Sequence, residues 1–167
     1  MKHVIPNILT NKERRKLIKD CQPHLIDGNE ITKQAFEQDH LLKVFPGKQT
    51  RENLHRIPCF QPPISKILSV ISQKIKSDII VDRSWINWTN GKKKDMNWHD
   101  HRNYDLAAVY YMKTLPFSNN ATLFKDDVVE APQNSLLIFP GYLLHSAPSS
   151  PFRFSRYTLA MDLNIVR

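Results

Sequence analysis

The chain has 167 residues, of which 41% are hydrophobic, 24% charged and 10% aromatic, proportions that exclude a disordered or fibrous chain and suit one domain with an ordinary core. Two cysteines, Cys21 and Cys59, form no CxxC pair and close at most one bridge, which excludes a disulfide scaffold and a thiolate zinc cluster. The formal net charge of +8 suits anionic partners, but the basic residues are scattered and lack the interleaved aromatics that stack bases, so nucleic acid is possible and not favoured.

The first residues, MKHVIPNILTNKERRKL, reach charge before any long apolar run, and no later window approaches the ~20 apolar residues of a membrane span. A cytoplasmic protein with no membrane partner is expected. Thr10 followed by Glu13 has the spacing of a capping box and predicts a helix over about Asn11 to Cys21, with Leu17 and Ile18 on its apolar side. Residues 22–56 are irregular and punctuated by Gly28, Pro46 and Gly47; a strand is expected near Leu41 to Phe45, and the segment could cover a cavity mouth. After Pro62 and Pro63, the apolar residues Ile64, Ile67, Leu68, Val70, Ile71 and Ile75 recur close to helical spacing and predict a second helix.

Beyond Lys76 the texture changes to short β-branched and aromatic runs between polar turns, as an antiparallel β domain reads. Strands are expected within SDIIVDRSWINWTN, NWHDH, LAAVYYM, ATLFK, SLLIFP and RYTLAMDLNIV. Helices followed by strands predict an α+β fold with a sandwich or barrel, in which residues 1–76 are mainly helical and irregular support and residues 77–167 form the β core of a single domain.

His99 and His101 stand two apart, so on an extended segment both imidazoles project from one face and can share a cation. The run NSLLIFPGYLLHSAPSSPFRFSRYTLAMDLN adds an apolar strand, a Pro-Gly turn, His145, a polar loop and a strand opening with Arg156. An arginine buried in a barrel needs a carboxylate partner, and a dicarboxylate ligand can supply one. His145 and Arg156 together turn the weak HxH signal into a metal-site reading.

These residues resemble the Fe(II)- and 2-oxoglutarate-dependent oxygenase superfamily, specifically a branch of small, often phage-encoded oxygenases with an HxH motif. HDHRNYDLAAVYY is similar to the first ligand motif and its following strand, LLIFPGYLLHSAP to the distal-histidine strand, and RYTLAMDLN to the closing co-substrate strand. The resemblance implies a double-stranded β-helix, or jelly-roll, core with supporting helices. It implies Fe(II) held by His99 and His145, 2-oxoglutarate bound by Arg156 with Tyr111, and hydroxylation of a substrate with release of succinate and carbon dioxide. Most of the superfamily has a carboxylate two residues after the first histidine, where this chain has His101, so His101, Asp100 and Asp105 all stand as candidates for the third ligand, with His101 preferred on strand parity.

Asn87, Asn97 and Arg102 are further candidates near the metal or substrate, and Arg153 is a weaker alternative to Arg156 because it falls in the loop. His3, His24, His40 and His55 are assigned no role, Trp85, Trp88 and Trp98 are expected in the core, and the run Gly91 to Asp95 reads as a solvated hairpin tip. Two other functions fit the sequence: a three-histidine cupin of thiol-dioxygenase type that does not use 2-oxoglutarate, and a binding module that has lost its metal chemistry.

Overall fold

The computed structural model describes residues 1–28, 47–90, 98–115, 120–148 and 153–167. The expected strand at Leu41 to Phe45, the lysine run Gly91 to Asp95, Asn97 and His40 lie outside them.

Helix α1 (Asn11–Cys21) opens as its sequence dictates: the Thr10 hydroxyl accepts from the Glu13 amide at 3.2 Å, and the Glu13 carboxylate accepts from the Thr10 amide at 2.7 Å. These bonds, with Lys66 opposite, hold the Glu13 carboxyl at about 2. The helix buries Leu17, Cys21 and Arg14, whose guanidinium donates to the Met112 carbonyl at 2.9 Å. Helix α2 (Gln61–Ile75) carries Pro62 and Pro63 in its first turn, where their missing amides cost nothing, and buries Ile64, Ile67 and Ile71. Among the described residues no helix is long and apolar enough to cross a membrane.

Among the described residues there are ten strands, in chain order β1 (His3–Ile5), β2 (Ile26–Asp27), β3 (Lys48–Gln49), β4 (Ile79–Thr89), β5 (Leu106–Lys113), β6 (Ala121–Phe124), β7 (Asp127–Glu130), β8 (Leu136–Pro140), β9 (His145–Ser146) and β10 (Arg156–Ile165). Seven form one antiparallel sheet in the order β1-β8-β5-β10-β4-β3-β2, and three form a second in the order β7-β6-β9. The first 76 residues also contribute strands to the large sheet, since β1 pairs with β8 and β3 with β4.

Register assigns the two faces of the large sheet. Leu159 stands opposite Ile86 and Tyr110, and Met161 opposite Ala108; this face packs on Leu17, Ile64, Ile67 and Ile71 of the helices. One residue along, Arg156 stands opposite Thr89, Thr158 opposite Asn87 and Tyr111, Ala160 opposite Trp85 and Val109, and Asp162 opposite Arg83 and Ala107. This second face meets the small sheet through a cluster of Tyr111, Phe124, Leu137 and Phe139. The fold is α+β, with two facing antiparallel sheets of a double-stranded β-helix and helices α1 and α2 behind the larger one.

Candidate metal centre

The segment around His99 forms a single antiparallel bridge to His145 in place of the expected strand: the His99 amide donates to the His145 carbonyl at 3.0 Å and the reverse bond measures 2.9 Å. His101 is seated by its own amide, which donates to the Gly141 carbonyl at 2.7 Å. A Cβ on Gly141 would lie 2.3 Å from the Tyr104 carbonyl oxygen and 2.6 Å from that of His101, so the Pro140-Gly141 turn needs glycine for the loop to approach.

The three imidazoles converge. Ring centroids lie 4.3 Å apart for His99 and His145, 5.1 Å for His101 and His145, and 5.2 Å for His99 and His101. One ligand nitrogen from each lies within 4.8 Å of the others. A point equidistant from such a set is within about 2.8 Å of each nitrogen, and modest side-chain adjustment brings it to the roughly 2.0–2.1 Å of a metal–imidazole bond.

The partners of the rings select which nitrogens face inward. A backbone carbonyl can only accept, so the 2.9 Å contact of His145 Nδ1 with the Leu143 carbonyl places the ring proton on Nδ1 and the lone pair on Nε2. His101 Nδ1 lies 2.8 Å from Asp162 Oδ1, and Asp162 is 0% exposed. Phe139 and Phe124 pack beside His145, with centroids at 4.8 and 6.1 Å, and Trp85 lies beside His101 at 5.8 Å.

The other candidates for a third ligand point elsewhere. Asp100 accepts from Arg102 Nε at 3.0 and 3.1 Å and is not among the side chains that converge with the three histidines. Asp105 caps the end of β10, accepting from the Ile165 amide and from Arg167, each at 2.9 Å. Trp98, expected in the core, is 47% exposed, because turning His99 inward turns its neighbour outward.

Arg156, 5% exposed, lies on the second face of the large sheet, the concave side that meets the small sheet. Its Nη2 donates to the Ala121 carbonyl at 3.3 Å, its guanidinium lies 5.5 Å from the centre of the Tyr111 ring, and its buried Nε has no hydrogen-bond partner. Among the described residues no carboxylate pairs with it. Burial pushes the guanidinium down from its ordinary value, opposed by Tyr111; burial pushes the Tyr111 phenol up, opposed by Arg156 and the Thr122 hydroxyl. A buried cation with an orphaned donor fits a carboxylate ligand. Arg153 is exposed and Asn87 faces the concave side with a buried, unpartnered Oδ1.

Sequence reasoning missed Asp162 and the role of Gly141. The one available signal for Asp162 was a charged residue in the apolar run RYTLAMDLN at the parity of Arg156.

No protein-family model matches the chain, and no curated protein matches it by sequence. Solved structures match in fold. The non-haem α-ketoglutarate-dependent carbocyclase SnoK from nogalamycin biosynthesis aligns with a TM-score of 0.73 at 11% identity, over 97% of this chain and 78% of SnoK. The viral collagen prolyl hydroxylase of Paramecium bursaria Chlorella virus-1, in its 2-oxoglutarate complex, aligns with a TM-score of 0.68 at 13% identity, over 99% of this chain and 96% of that one. EctD from S. alaskensis, with bound Fe, aligns with a TM-score of 0.65 at 12% identity, over 98% and 72% of the two chains. The chain therefore has the fold of Fe- and 2-oxoglutarate-dependent oxygenases.

Proposed function

We propose that this chain is an Fe(II)- and 2-oxoglutarate-dependent dioxygenase, a single catalytic domain that hydroxylates a substrate carbon while 2-oxoglutarate and dioxygen are converted to succinate and carbon dioxide. Iron is held by His99, His101 and His145, and 2-oxoglutarate is anchored by Arg156 with Tyr111. The observation that carries this reading is a buried guanidinium, with no carboxylate partner among the described residues, on the sheet face whose Asp162 meets the imidazole triad.

Strand β6 connects the two ends. Its Ala121 carbonyl meets Arg156, and three residues on Phe124 pairs with His145. At about 3.4 Å per residue this separates the ends by about 10 Å, on the scale of a five-carbon dicarboxylate held at both termini. When bound, the iron supplies the redox chemistry that couples oxidative decarboxylation of 2-oxoglutarate to oxidation of the substrate. The chain's own groups position and enclose. Arg156 binds the far carboxylate as a charge-assisted partner, the Tyr111 phenol stays protonated and can donate to it, and Phe124, Phe139 and Leu137 keep water from the space between.

The three-histidine set also suits a thiol-dioxygenase-like cupin; the unpaired Arg156 favours the dicarboxylate. The test is uncoupled turnover: with Fe(II), ascorbate and air, the purified chain converts 2-oxoglutarate to succinate slowly without substrate, and His145→Ala does not. Iron binding with no 2-oxoglutarate consumption, together with oxidation of a small thiol, would move the chain to the cupin reading.

A further inference from the structure

Three neutral imidazoles leave a divalent cation with its full charge, whereas two imidazoles and a carboxylate would offset one unit of it. The structure places a carboxylate one step further out. Asp162 lies six residues after Arg156 on β10 and faces the same way, flanked by the small Ala107 and Ala160. It is 0% exposed, and its oxygens have no well-aligned hydrogen bond among the described residues; what holds them is His101 Nδ1 at 2.8 Å and Arg83 Nη1 at 3.3 Å.

Arg83 does not cancel this charge. Its guanidinium is bound through two nitrogens to Glu52, with Nε to Oε2 at 2.8 Å, and lies over the rings of Trp85 at 5.3 Å and Tyr104 at 6.0 Å. Glu52, Arg83 and Asp162 together carry two carboxylates and one guanidinium, a net negative unit whose buried end faces His101. A fully buried carboxylate is costly unless a positive partner completes it, and the partner it faces is an imidazole aimed at the cation position.

We infer that Asp162 is the positioning residue of the metal centre: through His101 Nδ1 it turns Nε2 toward the cation and supplies the negative charge that the histidine triad lacks. This rests on the metal-centre reading above. It takes the place of a carboxylate ligand while leaving the three nitrogens as the donor set.

The test is Co(II) affinity of the full chain, measured by chelator competition. Asp162→Asn retains an acceptor for Nδ1 but removes the charge, and is expected to weaken Co(II) binding by about 10–100-fold, the usual range for such outer partners. The double variant His101→Asp with Asp162→Asn moves the carboxylate into the ligand position and is expected to bind at least about tenfold more tightly than Asp162→Asn alone. His101→Asp with Asp162 retained crowds two carboxylates and is expected to bind more weakly than the double variant. Wild-type affinity in Asp162→Asn, or no gain in the double variant, overturns the role of Asp162 and leaves the metal centre standing; a wild-type chain that binds no Co(II) overturns both. Nitrogen NMR of the Zn(II)-loaded wild type reads the same arrangement without a variant. His101 bound through Nε2, with an Nδ1 proton slow to exchange, is expected; coordination through Nδ1 contradicts it.

Discussion

On its helix-covered face the large sheet presents Leu159, Met161, Ile86 and Ile138, whereas one residue along the same strands the opposite face presents Arg156, Asp162, Arg83 and Tyr111. The first face is an ordinary core, in which each side chain lowers its free energy by leaving water. The second buries a guanidinium without a carboxylate and a carboxylate against an imidazole, arrangements that cost stability in the isolated chain. One strand, β10, serves both faces through its two-residue period. Stability is concentrated on one side of the sheet and, on the proposed function, ligand chemistry on the other, so substitutions one residue apart should separate the two properties.

The largest effect is expected on the concave side: His145→Ala should weaken Fe(II) or Co(II) binding by more than about 100-fold in chelator competition, since on the proposed function it removes a ligand and not an outer partner. The mirror experiment is Leu159→Ala, which should cost about 2–5 kcal/mol in denaturant unfolding while metal affinity of the folded protein stays within about twofold. If Leu159→Ala lowered metal affinity as much as stability, the two faces would not be separable.

Arg156→Met sharpens the contrast, because it should weaken 2-oxoglutarate affinity by about 100-fold and yet leave the ligand-free chain as stable as the wild type or about 1–3 kcal/mol more so. Thermal unfolding with and without 2-oxoglutarate checks both halves. The smallest effect lies far from either face: Thr10→Ala should cost about 1 kcal/mol through the lost helix cap. Glu13, in the same cap, is depressed in the folded chain from 4.5 to about 2, so its contribution is present above pH 4.5 and is lost as the pH falls toward 2. The deficit of Thr10→Ala should accordingly shrink across that window.

Much of this arrangement was legible in the chain because it is local. The capping box of α1, the proline start of α2 and the alternation in LAAVYYM and RYTLAMDLN are written within a few residues, and the same alternation put Tyr111 and Arg156 on one side. His99, His101 and His145 could be grouped by spacing and strand order. What escaped depends on partners distant in sequence. Strands β1 to β3 are two or three residues long and are held by pairing, β1 with β8, β3 with β4 and β2 with β3. Trp98 was read as core by its size, although the inward turn of His99 fixes it outward. Asp162 meets His101 across 61 positions of sequence, and only register brings β10 beneath that loop.

The central claim is that one cavity holds both a cation and a dicarboxylate. Its most direct test is an oxygen-free titration of the Fe(II)-loaded chain with 2-oxoglutarate, followed by the visible charge-transfer absorption of an iron–2-oxoglutarate chelate. The account predicts a saturable band in the wild type, none in His145→Ala, and in Arg156→Ala a band reached only at about 100-fold higher 2-oxoglutarate. An Fe(II)-loaded wild type that shows no band at any 2-oxoglutarate concentration would contradict it.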